Sequence, residues 1–392
     1  MISWGDPAGV FHSADWRSEA GTPPPVRVMI GDDTLSADAA FRLASEGTAI
    51  LWQGDFQNAR LLLQAIARRI DRSLAKPRKS RGKAAPTPTE AFHQHRLAQS
   101  QRARTLGRLL IPFDADYGIP LRRAPDVRQA CAEAYGVYGA HDAPTQAFVT
   151  SLRELLGLIG AHEWRKKGVA VPALGDDRIH PHYGVFSPVR SEYLELVVRA
   201  PLPAALTDTS LAFDIGTGTG VLAALLARRG IQQIVATDQD PRALACAREN
   251  IDRLGLAAQI TIEQRDLFPP GHAPLVVCNP PWVPARPSSP LEHAIFDPDS
   301  QMLRGFLVGL AEHLSPGGEG WLILSDLAEH LGLRTRSELE AMIAAAGLQV
   351  VDRLDIRPRH PKAADASDPL HAARAAEITS LWRLGKQTGK TV

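Results

Sequence analysis

The sequence predicts an α/β protein: a doubly wound sheet in the C-terminal half, preceded by a smaller, largely helical N-terminal region. Three observations carry this. From residue 211 onward, short apolar strands alternate with helical stretches. The first of those strands runs directly into a glycine turn that opens a helix. With 392 residues, 44% hydrophobic and 22% charged, the chain can bury a sizeable core. Its length suggests about two to three units.

Residues 1–25 are rich in Gly, Pro and Asp, show little periodicity, and are expected to be loosely ordered. A small α/β pattern follows. Residues 26–30 and 48–52 read as strands, and residues 36–45 as a helix capped by Ser36. Asp55 caps a longer helix with Leu61, Leu62, Ala65, Ile66 and Ile70 on one face. Residues 76–89 (KPRKSRGKAAPTPT) have almost nothing to bury and read as a linker. Helical stretches are expected over 90–110 and 144–167, then a hairpin over 169–186 turning at Gly175-Asp-Asp177. The chain therefore divides into a small α/β or helical region (1–75), a basic linker and helix (76–110), a helical region with the hairpin (111–175), and the doubly wound domain (176–392).

The strand at 211–215 ends in Asp214-Ile-Gly-Thr-Gly-Thr-Gly220, and the apolar helix after it is closed by Gly230. Glycines at 216, 218 and 220 let the backbone turn sharply and approach a ligand closely. The next strand ends in Asp238, where a carboxylate is placed to accept both ribose hydroxyls of an adenosine-containing ligand. Asp240 is the better cap for the following helix, because Pro241 takes its first position. The loop departs from the dinucleotide fingerprint GxGxxG: its third glycine comes one residue early and the acidic Asp214 precedes it. Both departures match an adenosylmethionine-binding loop.

The most specific element is Leu275-Val-Val-Cys-Asn-Pro-Pro-Trp-Val-Pro284, an apolar strand ending in a polar residue, two prolines and an aromatic. Prolines fix φ and donate no hydrogen bond, so the corner is rigid and its carbonyls stay available. The Asn279 amide oxygen and the Pro280 carbonyl can both accept from a planar NH2 group, and Trp282 offers a face for stacking. An exocyclic amine or amide nitrogen has its lone pair delocalised. Two acceptors on its hydrogens favour pyramidalisation and expose that pair for in-line attack, with no strong base required.

These segments resemble the class I S-adenosylmethionine-dependent methyltransferases, and more narrowly the "methyltransferase small" group. That group includes release-factor glutamine methyltransferases and RNA amine methyltransferases. Asp214 to Gly220, Asp238, and Asn279 to Trp282 occur in the family's order and spacing, within a region of roughly 169–384. Phe186-Ser-Pro188 resembles the family's substrate-side segment, and Ile295-Phe-Asp-Pro298 its stretch after the catalytic loop. Trp282 stands where glutamine-modifying members usually carry tyrosine, and Val-Arg-Ser-Glu192 does not reproduce their Pro-Arg-Pro-Glu pattern. The resemblance implies a Rossmann-like sheet of seven strands and S-adenosylmethionine as cofactor. It implies cofactor binding through Asp214, Gly216, Thr217, Gly218, Gly220, Asp238, Asp266 (toward the adenine amino group) and Asn279. Catalysis would rest on Asn279, Pro280, Pro281 and Trp282.

Composition bounds the partners. The net charge is +1, yet twelve Lys and Arg between Arg68 and Arg108 face only Asp71 and Glu90. That stretch carries about +10 and the remainder about −9, which suits a polyanion, RNA ahead of DNA. A translation-factor protein substrate is the other possibility, and a catalytically silent RNA-binding module the third. Phe92 is the one aromatic there, so base stacking by that segment is not expected. His180 and His182 flank the hairpin and read as surface residues, and Trp4, Trp16, Trp52, Trp164, Trp321 and Trp382 as packing residues. Cys131, Cys246 and Cys278 lie far apart, which excludes a disulfide scaffold or zinc cluster and suits a cytoplasmic protein. No membrane span and no metal are expected.

Overall fold

Two short segments pair first: β1 (Ile2–Gly5) and β2 (Phe11–Trp16) form an antiparallel hairpin with Ile2 opposite Ala14. The computed structural model describes residues 1–6, 8–75, 85–137, 146–188, 191–207, 210–287, 290–359, 365–366 and 368–387. The hairpin corrects the expectation that residues 1–25 are loosely ordered. Its turn is closed by Asp6, whose carboxylate accepts from the backbone N–H groups of Ala8 and Val10 at 2.9 Å each.

The strand–helix–strand–helix pattern appears as expected: β3 (Arg27–Gly31), α1 (Ala37–Ser45), β4 (Thr48–Trp52) and α2 (Phe56–Ala75). Ser36 accepts from the Ala39 N–H at 3.3 Å, and Asp55 from the Gln57 N–H at 2.8 Å. One assignment on α2 is corrected: Leu61 is 59% exposed, and the buried face runs through Leu62, Leu63, Ile66 and Ile70. α3 (Pro88–Leu106) ends earlier than expected, because Leu109 and Leu110 belong to β5 (Leu109–Phe113). After α4 (Arg128–Tyr135), the helix expected over 144–167 splits into β6 (Phe148–Ser151), whose four residues are all buried, and α5 (Leu152–Lys167).

The chain divides into two units, Met1–Ala85 with His93–Glu163, and Pro86–Phe92 with Trp164–Val392. Among the described residues the first unit holds a six-stranded sheet, ordered β1-β2-β6-β5-β4-β3. Its N-terminal region is thus α/β rather than largely helical. The physical reason is length: fully buried strands of four or five residues show no alternation and read like helix fragments.

The first strands of the second unit are a short antiparallel pair, β7 (Val169–Ala170) with β8 (Arg178–Ile179), so the expected hairpin exists but is brief. A 3-10 turn at Pro172–Leu174 fills its loop, ending at Gly175 with φ +71°. Then come α6 (Glu192–Arg199), β9 (Leu211–Ile215), α7 (Val221–Arg228), β10 (Gln233–Asp238), α8 (Pro241–Arg253), β11 (Ile260–Gln264) and β12 (Ala273–Cys278). They are followed by α9 (Gln301–His313), β13 (Leu314–Ser325), α10 (Leu327–His330), α11 (Arg336–Ala345), β14 (Leu348–Ile356), α12 (His371–Ala376) and β15 (Thr379–Lys386). The described strands form the expected doubly wound sheet of seven, ordered β11-β10-β9-β12-β13-β15-β14. Only β15 runs antiparallel to its neighbours. Apolar clusters cover both faces, one built on Leu222, Leu225 and Trp321, the other on Phe213, Phe306 and Trp382. The order reverses between β9 and β12, which opens a crevice at the carboxyl ends of those strands.

Candidate functional site

β9 and β12 pair with Cys278 opposite Ile215, so the next residues, Asn279 and Gly216, leave the sheet side by side. On the other side of β9, Thr237 lies opposite Ile215, and Asp238 ends β10 opposite Gln264 of β11. The structure therefore brings every expected site residue to one edge. Asp214 lies near the end of β9 and Gly216, Thr217, Gly218 and Gly220 follow it, Asp238 ends β10, exposed Asp266 follows β11, and Asn279, Pro280, Pro281 and Trp282 follow β12.

The glycine loop needs its glycines. Gly216, Gly218 and Gly220 have φ of +71°, +56° and +81°, the left-handed region that side chains disfavour. A Cβ on Gly216 would meet Met302 Cε at 2.6 Å, whereas at Gly218 nothing lies within 4 Å, leaving open space over the loop. Gly220 lets the start of α7 approach Ala247 of α8. The loop hangs on β10: the N–H groups of Gly216 and Thr217 both donate to the Thr237 carbonyl, at 2.9 and 2.8 Å. The Gly218 N–H donates to Asp238 Oδ2 at 3.0 Å.

Asp214 is fully buried. Its Oδ2 accepts from Thr217 Oγ1 at 2.7 Å and from the Ala223 N–H at 3.1 Å, while Oδ1 has no hydrogen-bond partner. Burial pushes its carboxyl up to about 7, the nearby Asp238 charge adding to the effect. Burial also raises Asp238, against the Asp240 and Gly218 N–H groups that favour its charged form. A buried carboxylate oxygen without a donor, beside an open glycine turn, suits a cationic ligand group. The site fits S-adenosylmethionine on that ground.

At the corner, Trp282 Nε1 donates to Asn279 Oδ1 at 2.9 Å. The chain beyond is pinned to residues 295–297: Val283 N–H donates to the Ile295 carbonyl at 3.2 Å, and Asp297 N–H to the Val283 carbonyl at 2.9 Å. The Asp297 carboxylate, buried, accepts from the N–H groups of Met302 and Leu303 and starts α9. Arg334, buried, reaches the Trp282 carbonyl through Nη2 at 3.5 Å and Ser300 Oγ through Nη1 at 3.4 Å. Phe92, near the start of α3, packs with Val283, Leu331 and Leu370 in a cluster that also touches Trp282. Sequence reasoning missed Arg334 and the placement of Phe92. Neither sits in a motif, and no local spacing signals either one.

The two histidines are not simple surface residues. His180 Nδ1 bonds the Arg165 carbonyl at 2.6 Å and His182 Nε2 bonds Glu249 at 2.7 Å, both part-buried within the second unit. Of the tryptophans, Trp52, Trp321 and Trp382 are buried, but Trp164 is 49% exposed and does not pack as expected. In the basic stretch, Arg69 pairs with Asp38 at 2.7 Å and Arg102 with Asp71 at 2.9 Å. Lys76, Arg78, Lys79, Arg81 and Lys83 lie outside the described residues. Among the described residues no helix is long and apolar enough to cross a membrane, and no group of three His, Cys, Asp or Glu could hold a metal.

Comparison with known proteins agrees with this geometry. The family model of the methyltransferase small domain matches residues 177–342. The chain is 32% identical to the release factor glutamine methyltransferase of Cereibacter sphaeroides, over 40% of this chain and 61% of that protein. It is 35% identical to the ribosomal protein L11 methyltransferase of Pelotomaculum thermopropionicum, over 36% of this chain and 39% of that protein. With the tRNA1(Val) (adenine(37)-N6)-methyltransferase of a Shewanella species it shares 25% identity, over 41% of this chain and 69% of that protein. It thus spans less than two thirds of the first two relatives. Residues 177–342, somewhat under half of the chain, are thus similar to the methyltransferase small domain.

Proposed function

We propose that this chain transfers a methyl group from S-adenosylmethionine to a planar NH2 nitrogen, the substrate being an exocyclic base amine of RNA, ahead of DNA. The observation that carries the reading is the pairing of β9 with β12. It brings Asn279 beside a glycine loop with an orphaned buried carboxylate oxygen, Asp214 Oδ1, which supports a role for that amide as the acceptor for an amine. Asp214, Gly216, Thr217, Gly218, Gly220, Asp238 and Asp266 would hold the cofactor, which supplies an electrophilic sulfonium methyl when bound.

The chain's own residues do the rest. Asn279 Oδ1 and the Pro280 carbonyl accept the two hydrogens of the target amine, which draws its lone pair out of conjugation. Pro280 and Pro281 keep those acceptors in place without reorganisation, so proximity and alignment lower the barrier. The Trp282 ring stacks on the flat group that carries the amine. The surplus proton leaves the methylated nitrogen to water.

The basic run from Arg68 to Arg108 and the tRNA-modifying relative favour RNA. A protein glutamine amide on a translation factor is the second reading, favoured by the glutamine-methylating relative. A silent RNA-binding module has no need of the intact corner. The test is transfer of tritiated methyl into RNA, DNA and protein fractions of extract from a deletion strain, with the wild-type chain and with a variant carrying Gln at 76, 78, 79, 81 and 83. Label in RNA, and a weaker salt dependence of RNA affinity in the variant, is expected. Each phosphate that the variant no longer neutralises should lower the log–log salt slope by roughly 0.7–0.9. Label in protein, unaffected by the substitutions, selects the glutamine reading.

A further inference from the structure

The aromatic of the corner is bonded to the amide three residues before it. Trp282 Nε1 donates to Asn279 Oδ1 at 2.9 Å. An indole is a donor only, whereas a carboxamide has an acceptor edge and a donor edge that differ by a half-turn of its last torsion. The bond therefore decides which edge of Asn279 faces the ring, and so which edge faces away from it. The indole itself is held. Its residue packs against Val283, Leu331 and Phe92, and its carbonyl lies 3.5 Å from the buried Arg334 guanidinium. A carbonyl oxygen has two lone pairs, of which the indole takes one.

We propose that Trp282 is a positioning residue as well as a stacking face: its N–H locks the Asn279 carboxamide in the one orientation that keeps an oxygen lone pair for the target amine. This rests on the reading of the corner as an amine-methylating site. A phenylalanine ring at this place would stack equally flat but leave the amide free to turn, offering NH2 where an acceptor is required. A tyrosine hydroxyl lies at the far end of its ring, so it does not reproduce an indole donor three residues from the amide.

The test uses the full chain and two readouts. In a 1H–15N spectrum, the Trp282 indole resonance is the one lost in Trp282→Phe. Replacing Asn279 by Ala should move that resonance upfield and speed its exchange with water. In methyl transfer to total cellular RNA, Trp282→Phe should lower kcat roughly tenfold at an unchanged apparent KM and unchanged adenosylmethionine affinity. An indole resonance indifferent to Asn279→Ala, or wild-type turnover in Trp282→Phe, overturns the proposal. Absence of transfer by the wild-type chain to RNA, DNA and protein overturns instead the reading beneath it, and the indole resonance still reports whether the bond exists.

Discussion

Asn250, buried in the last turn of α8, donates from Nδ2 to the Thr219 carbonyl at 3.0 Å, while its Oδ1 accepts the His180 N–H at 2.7 Å. One amide thus ties the glycine loop to the strand pair that opens the second unit. Replacing Asn250 by Ala takes these bonds from the buried Thr219 carbonyl and the part-buried His180 N–H. The expected cost is about 2–4 kcal/mol of stability, together with weaker adenosylmethionine binding because the loop loses its tether. Thermal unfolding and calorimetric titration read the two effects separately.

Asp238 already accepts from the N–H groups of Gly218 and Asp240 at 3.0 Å each, so its carboxylate is fixed before any ligand arrives. Asp238→Ala should weaken adenosylmethionine binding by at least about tenfold, since hydrogen bonds to a charged acceptor contribute roughly 1.5–3 kcal/mol each. Equal affinity in calorimetry would remove Asp238 from the cofactor site.

Asp214 gives the site a pH dependence of definite sign. Its folded carboxyl is raised from 3.8 to about 7 by burial, so the folded chain holds this proton more tightly than the unfolded one. Its contribution favours folding at low pH and is progressively lost as pH rises from about 4 through about 7. A cationic ligand prefers the ionised form. Adenosylmethionine affinity should therefore rise between about pH 6 and 8 with release of a proton, measurable by calorimetry in buffers of different ionisation enthalpy. In Asp214→Asn that proton release should vanish, and the fall of thermal stability with pH should flatten.

Asn279→Ala should lower turnover by roughly a hundredfold, as loss of one preorganised polar group does in other active sites, while the cofactor still binds. Single-turnover methyl transfer beside calorimetry checks both halves. Full turnover in the variant would show that the Pro280 carbonyl alone activates the amine.

The site was legible because its requirements are local. Positive φ at positions 216, 218 and 220 demands glycine, and the prolines at 280 and 281 write the rigid corner directly into the chain. What was not legible depends on partners far along the sequence. Asn250 reaches Thr219 and His180, Arg334 reaches Trp282, and Thr89 reaches the Leu331 carbonyl at 3.0 Å. No periodicity encodes such pairings. The first unit hid its sheet for a related reason. β5 and β6 are buried on both sides, so their residues carry no alternation, and only their pairing in space (Ile111 opposite Thr150) makes them strands.

The placement of Phe92 with Val283, Leu331 and Leu370 means that the second unit is built from two separate pieces of chain, 86–92 and 164–392. During synthesis the smaller piece emerges long before its partners. At about 5–20 residues per second, the polypeptide must grow for roughly 15–60 s after residue 92 before the last strands of the sheet leave the ribosome. Until Val283 emerges, Phe92 has none of these buried neighbours, and Leu370 joins them last. A fragment beginning at residue 164 would carry every glycine and proline of the site and still lack a side of its own core. Cleavage on both sides of residues 86–92 would leave a short peptide bound in the larger unit by its packing and by the hydrogen bond from the Thr89 hydroxyl to the Leu331 carbonyl.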